Sequence, residues 1–186
     1  MSVRRLNRPP VVVLTGVENA GKSTLSAALS AALGWPLLEE AARTDAAVVE
    51  GRTTPEDLKR LLSGFRDTLG ALLGQGAPGI LCDTGALVLE MWSETAFDTA
   101  LPGAASLQSQ TDLHLLCRTL PHWEADPLRS MPELAARQQL EAQYVRRLDD
   151  RKLPWIDVPV LPLEKRVEFA RHAILSALTW VRTTPH

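Results

Sequence analysis

Residues 11–34 read Val-Val-Val-Leu-Thr-Gly16-Val-Glu18-Asn19-Ala20-Gly21-Lys22-Ser23-Thr24-Leu25-Ser-Ala-Ala-Leu29-Ser-Ala-Ala-Leu33-Gly34. The first five residues are β-branched or aliphatic and stop at a glycine, the pattern of a short strand buried on both faces. From Leu25 onward, Leu25, Ala28, Leu29, Ala32 and Leu33 recur at helical spacing, and Gly34 supplies a stop. Gly16 to Thr24 lies between them and satisfies G-x-x-x-x-G-K-[ST] at every fixed position. With this chain's own composition, an accidental match has a probability of roughly 0.2% over the whole length, so chance is set aside. Strand, turn and helix also stand in the order that a phosphate cradle requires.

The chemistry asks for these residue types at this spacing. Glycines let successive backbone N–H groups turn inward around phosphate oxygens, and the dipole of the following helix adds positive potential there. Lys22 is one of only four lysines in the chain, and its place here assigns it to the β- and γ-phosphates. The Ser23 hydroxyl is the expected Mg²⁺ ligand. The nucleotide contacts expected of this stretch are Gly16, Glu18, Asn19, Ala20, Gly21, Lys22, Ser23 and Thr24, with ATP and Mg²⁺ as cofactors.

The rest of the chain supports one expectation of fold. A length of 186 residues suits one domain, so residues 1–186 are read as a single unit with one active site. Apolar residues at 45% and charged residues at 23% are globular proportions. A formal net charge of −2 leaves no electrostatic footprint for nucleic acid and points to small-molecule or protein partners. Cys82 and Cys117 sit in apolar runs and make no disulfide framework, which suits a reducing cytoplasm. The apolar run after the arginine-bearing start is too short for a signal-peptide core. The uncharged stretch of residues 68–82 is broken by Gly and Pro, so no membrane span is expected.

Further elements follow in alternation. Trp35 to Glu39 reads as a second strand with Glu39 and Glu40 at its carboxyl end, and Thr54-Pro55 as an N-cap with a first-turn proline. The stripe Leu58, Leu61, Leu62, Phe65, Leu69, Leu72 and Leu73 then marks a helix. Gly79 to Cys82 runs into Asp83 as a third strand, and Leu87 to Trp92 belongs to the next helix. Leu113 to Cys117 is a fourth strand, residues 121–132 a proline-containing, lid-like loop, and Ser130 with Glu133 a capping box. Ala136, Leu140, Tyr144 and Leu148 mark the helix it opens. Trp155 to Val158 is a fifth strand, and Leu163, Val167, Ala170, Ile174, Leu178 and Val181 the apolar face of a terminal helix. The alternation implies an α/β fold, a five-stranded parallel sheet with helices on both faces and ligands at the carboxyl ends of the strands.

Several residues near those ends carry candidate chemistry. Asp83 ends a strand where a carboxylate would serve Mg²⁺; the alternative is a turn or N-cap aspartate. Glu40 or Glu39 would orient or deprotonate an acceptor hydroxyl, with Arg43 one turn on, against the alternative of a solvated helix face. Arg118, Arg129 and Arg137 flank the lid-like loop, and Arg129 is the first candidate to stabilise charge on a transferred phosphoryl group. Trp92 and Trp123 are candidates to stack on a ring, Trp123 the more so because its neighbours are polar, although tryptophan is also a core residue. His114 and His122 have no partners at zinc-ligand spacing.

Taken together, these segments resemble the ribosylnicotinamide kinase domain of the bifunctional NAD-biosynthesis protein NadR and its related P-loop ATPases. Gly16 to Thr24 resembles the family's G-x-E-x-x-G-K-[ST]-T loop, Glu18 included. Glu40-Ala-Ala-Arg43 resembles E-Y-A-R, and Cys82-Asp83-Thr84 with Glu90-Met-Trp92 is similar to its D-T-[DN] segment and downstream tryptophan. Asp112-Leu-His-Leu-Leu resembles Y-D-L-Y-L-L, and Trp123 to Arg129, with Asp126, resembles W-x-x-D-x-x-R. The resemblance spans most of residues 11–158. It implies transfer of phosphate from ATP to nicotinamide riboside, with Mg²⁺. Ala41, Gly85 and Thr111 depart from the family pattern, which bears on the acceptor more than on phosphate chemistry, and the chain has no room for NadR's adenylyltransferase domain. The alternatives are a kinase of another nucleoside, nucleotide or metabolite, and an ATP-dependent switch that binds a protein partner. N-K-x-D is absent, which lowers the GTPase version.

Overall fold

A computed structural model describes residues 8–126, 129 and 131–182. The strands are β1 (Val11–Thr15), β2 (Leu37–Leu38), β3 (Ile80–Asp83), β4 (Leu113–Cys117) and β5 (Trp155–Val158). They form one parallel sheet in the order β2-β3-β1-β4-β5. β1 is central and its residues are all buried, as a continuous apolar run demands. β3 and β4 flank it on opposite sides, so the chain turns away in both directions at its carboxyl end. That divergence opens the crevice in which parallel sheets bind ligands.

The helices are α1 (Lys22–Leu33), α2 (Ala46–Val49), α3 (Pro55–Leu73), α4 (Ala86–Phe97), α5 (Ala104–Gln108), α6 (Leu134–Asp150) and α7 (Leu163–Arg182). They cover both faces. Leu25 and Leu29 of α1, Tyr144 and Leu148 of α6 and Ala170 and Ile174 of α7 pack with Val12, Leu14, Leu81 and Leu115. Leu58, Leu62 and Leu69 of α3 and Ala104 of α5 pack with the alternate strand residues Val11, Val13, Ile80 and Cys82. Thr54 and Asp57 close a capping box at the start of α3, with Pro55 in its first turn. Asp112, the aspartate of the Asp-Leu-His-Leu-Leu segment, anchors the sheet's other end: its carboxylate accepts from the Val11 N–H at 2.8 Å and from Arg8.

Four differences from the sequence reading have local causes. The second strand keeps only Leu37–Leu38, because Trp35 turns into the core under Gly79, where a Cβ would stand 2.5 Å from its ring. The short helices α2 and α5 have too few residues to show a period. α6 begins after Glu133 with no side-chain cap, and Ser130 of the expected capping box lies outside the described residues. On α7, Leu163 is exposed and Arg166 takes the inward position one turn before Ala170. Among the described residues no helix is long and apolar enough to cross a membrane.

Candidate functional site

The loop after β1 is shaped by its two motif glycines. Gly16 has φ +135°, and a Cβ there would stand 2.6 Å from the Cys117 carbonyl oxygen. Gly21 has φ +72° and caps α1, and its Cβ would stand 2.7 Å from Arg166 Nη1. At Gly16 a side chain is excluded on both conformational and steric grounds, because the atoms it would meet are backbone; at Gly21 the left-handed φ is the constraint, because the nearest atom is the end of a side chain. Asn19 also adopts a left-handed conformation, φ +57°, which asparagine takes at modest cost. Lys22 Nζ donates to the carbonyls of Gly16 at 3.0 Å and Val17 at 2.8 Å, which holds the ammonium against the loop and leaves one of its three protons.

Gly16 to Thr24 line a cleft of about 470 Å³, together with Glu40, Arg43, Trp92, Arg129 and Tyr144. A second cavity of about 380 Å³ lies against the carboxyl ends of β2 and β3, lined by Glu39, Glu40, Ala41, Phe65, Thr84, Gly85 and Trp92 among others. Glu40, Ala42, Val88 and Trp92 belong to both. Two chambers thus share one wall, with a carboxylate and an indole in it.

Of the residues singled out in the sequence, Glu40, Arg43, Trp92 and Arg129 are brought to the phosphate loop, and Glu39 only to the second cavity. Arg43 pairs with Glu40 at 3.2 Å and reaches Asp126 at 3.5 Å, and Asp126 lies 3.6 Å from Arg129. Arg129 donates to Asn19 Oδ1 at 2.8 Å, and Asn19 Nδ2 donates to the His122 carbonyl at 2.6 Å. The Glu18 carboxylate accepts from the Met131 N–H. The variable positions of the phosphate loop therefore hold the segment after β4 across the cleft.

Asp83 closes β3 in register with Leu14, two residues before Gly16, and is 4% exposed. Its Oδ1 is buried without a hydrogen-bond partner among the described residues. A buried carboxylate oxygen in that state is open to an ordered water or an ion. Thr84 follows with φ +74°, a costly conformation for a β-branched residue, and its buried Oγ1 is likewise unpartnered. Gly85 then packs so closely that a Cβ would meet Val13 Cγ1 at 2.8 Å, which accounts for glycine where the resembling family carries an acidic residue.

Other candidates stand elsewhere. Trp123 lines neither cavity: the Arg137 guanidinium covers its ring at 5.1 Å, so a polar neighbour occupies the face expected to take a substrate. Arg118 is held by Asp157 and Glu141, away from the cleft. Asp126 does not line the cleft and serves to link Arg43 with Arg129. Thr111 precedes β4, at the opposite end of the sheet from the loop, and has no bearing on an acceptor there.

Tyr144, the chain's single tyrosine, enters the cleft although its spacing on α6 marks it only as core. Burial raises its pKa, with the Glu40 and Glu18 charges adding to the rise. Burial pushes the Cys82 thiol up to about 12 and the Cys117 thiol up to about 11, so both are inert. His114 is buried beside Thr15, whose Oγ1 lies 2.9 Å from Nδ1, and burial lowers its pKa to about 4.

A glycine-built phosphate loop between the central strand and the first helix of a 2-3-1-4-5 parallel sheet defines the P-loop class of nucleotide-binding folds. The chain belongs to the family described as an AAA domain, whose model matches residues 11–166. Solved structures of similar fold include a NadR protein in complex with NR, at 20% identity and a TM-score of 0.74, covering 91% of this chain and 51% of that one. Deoxyadenosine kinase from M. mycoides is 16% identical, with a TM-score of 0.67, 89% of this chain and 99% of that one covered. Thymidylate kinase from Candida albicans is 15% identical, with a TM-score of 0.62 over 91% and 92%. The chain thus spans about half the length of the NadR protein. No curated protein matches the sequence.

Proposed function

We propose that this protein transfers the γ-phosphoryl group of ATP to a hydroxyl of a nucleoside in the cytoplasm, with nicotinamide riboside as the acceptor and residues 121–132 as a lid. The observation that carries the reading is the shared wall: Glu40 and Trp92 stand in both the phosphate cleft and the second cavity. An acceptor whose ring fills the second cavity beside Trp92 presents its hydroxyl at the junction, next to Glu40. Glu40 takes the hydroxyl proton, the oxygen attacks the γ-phosphorus, and the bond to the β-phosphate oxygen breaks to release ADP. Lys22 and Arg129 hold the phosphoryl oxygens as charge moves onto the leaving group. Arg43, 3.2 Å from Glu40, orients its carboxylate.

The unpartnered Asp83 Oδ1 and the Ser23 hydroxyl at the first turn of α1 fit Mg²⁺, which uses few protein ligands and keeps several waters. When bound, the ion neutralises charge on the β- and γ-oxygens. A cation such as nicotinamide riboside suits a cavity with Trp92 and Phe65 in its walls and Glu39 and Glu40 at its edge. A second reading, a kinase of another nucleoside, draws support from Ala41 and Gly85. Both line that cavity, and both differ from the resembling family.

The test is ADP release with Mg-ATP and nicotinamide riboside beside a panel of purine and pyrimidine nucleosides and nucleoside monophosphates, with products confirmed by mass. Lys22→Ala serves as the inactive control. Preference for another acceptor by more than about tenfold in kcat/KM, about 1.4 kcal/mol, replaces the acceptor and leaves the reaction class standing. Hydrolysis that no acceptor accelerates favours the switch instead.

A further inference from the structure

Arg166 is 4% exposed and stands behind the phosphate loop without lining the cleft. Its Nη2 donates to the Ala20 carbonyl at 2.9 Å, and its Nη1 approaches the place where a Gly21 side chain would begin. Its Nε is buried without a partner, and the Cys117 thiol is the other polar group at its side. Among the described residues no carboxylate pairs with it, whereas Arg118, Arg147 and Arg151 each hold one or two. Taking a charge out of water costs several kcal/mol unless a counter-charge offsets it. Here the partners among the described residues are the Ala20 carbonyl and the Cys117 thiol, neither of them a counter-charge.

The bond to Ala20 has a second consequence. In a trans peptide the C=O and the next N–H point in opposite directions, so a carbonyl held toward Arg166 turns the Gly21 N–H the other way, toward the cleft that Ala20 and Gly21 line. The same bond polarises the peptide and makes that N–H a stronger donor. We propose that Arg166 is the positioning residue of the phosphate loop: it aims the Gly21 N–H at the nucleotide, and the phosphates of a bound nucleoside triphosphate balance its charge. This inference rests on the cleft being a nucleoside triphosphate site.

Calorimetric titration with Mg-AMP-PNP, with melting curves in its presence and absence, tests the inference on wild type, Arg166→Met and Arg166→Lys. The Met variant should bind about tenfold more weakly and gain less thermal stabilisation from the ligand, while its ligand-free Tm is unchanged or higher, because an unbalanced charge has been removed. The Lys variant keeps the charge and loses the planar fork, so its Kd should fall between the two. Wild-type affinity in the Met variant, or a fall in ligand-free Tm with Kd unchanged, makes Arg166 a packing residue and overturns the proposal. If the Met variant does not fold, wild-type affinity in the Lys variant overturns it equally. Failure of the wild type to bind Mg-AMP-PNP refutes the cleft assignment itself and this inference with it.

Discussion

Replacing Asn19 should release the segment that crosses the cleft. Its amide makes two contacts to that segment, accepting from Arg129 at 2.8 Å and donating to the His122 carbonyl at 2.6 Å. A hydrogen bond to a charged group contributes about 1.5–3 kcal/mol and a neutral one about 0.5–1.5 kcal/mol. Arg129 retains the Glu124 carbonyl and the Asp126 carboxylate, so the net loss falls near the lower end, about 2 kcal/mol. That corresponds to a shift of about 30-fold in the closed-to-open equilibrium of the segment. Asn19→Gly is the cleaner variant, because glycine accepts the left-handed backbone that alanine would strain by about 1–2 kcal/mol. Amide hydrogen exchange across residues 119–126 should accelerate about 30-fold in Asn19→Gly, and KM for ATP should rise. Asn19→Ala should match that acceleration and also melt at a lower temperature. Unchanged exchange in the glycine variant would show that Glu18 and the Arg43–Asp126 pair suffice to hold the segment, and would refute the latch assigned to Asn19.

Asp83→Asn should weaken Mg²⁺-dependent turnover far more than metal-free nucleotide binding, which a Mg²⁺ titration of both proteins checks; an unchanged Mg²⁺ dependence returns Asp83 to a turn residue. Ala41→Tyr restores the tyrosine of the resembling motif in the wall of the second cavity and should raise kcat/KM for nicotinamide riboside relative to other nucleosides at least about tenfold with KM for ATP unchanged, read by steady-state kinetics with each substrate varied. His114 titrates near 4 when folded and near 6.5 when unfolded, so the unfolded chain binds the extra proton first and stability falls as pH drops between those values. The full effect is about 3 kcal/mol, and His114→Gln should flatten urea-denaturation stability over that window.

Much of the architecture was legible because local signals agreed with the final packing. β1 and β4 match their apolar runs, and α3 matches its cap, its proline and its leucine stripe, since each pattern is written within one element. The phosphate loop is legible for the same reason: its glycines, lysine and hydroxyls act through backbone geometry set by neighbours in sequence. Short elements escaped because four or five residues carry no period, as in α2 and α5.

The remainder of the site depends on distances between residues far apart in the chain. Trp123 and Arg118 have the residue types expected of a binding lid, yet Arg137 covers the one and Asp157 with Glu141 holds the other, and only the fold decides those partners. Tyr144 and Arg166 occupy core positions of α6 and α7 by spacing alone; the sheet order carries one to the cleft wall and the other to the back of the phosphate loop. An arginine one turn before Ala170 and two before Ile174 was the visible sign, since a charge on an inward stripe needs a partner. The sequence by itself determined where phosphate chemistry is built, because that site is made from consecutive backbone. Tertiary structure decided which distant side chains surround it, because their energies depend on burial and on partners that no local pattern encodes.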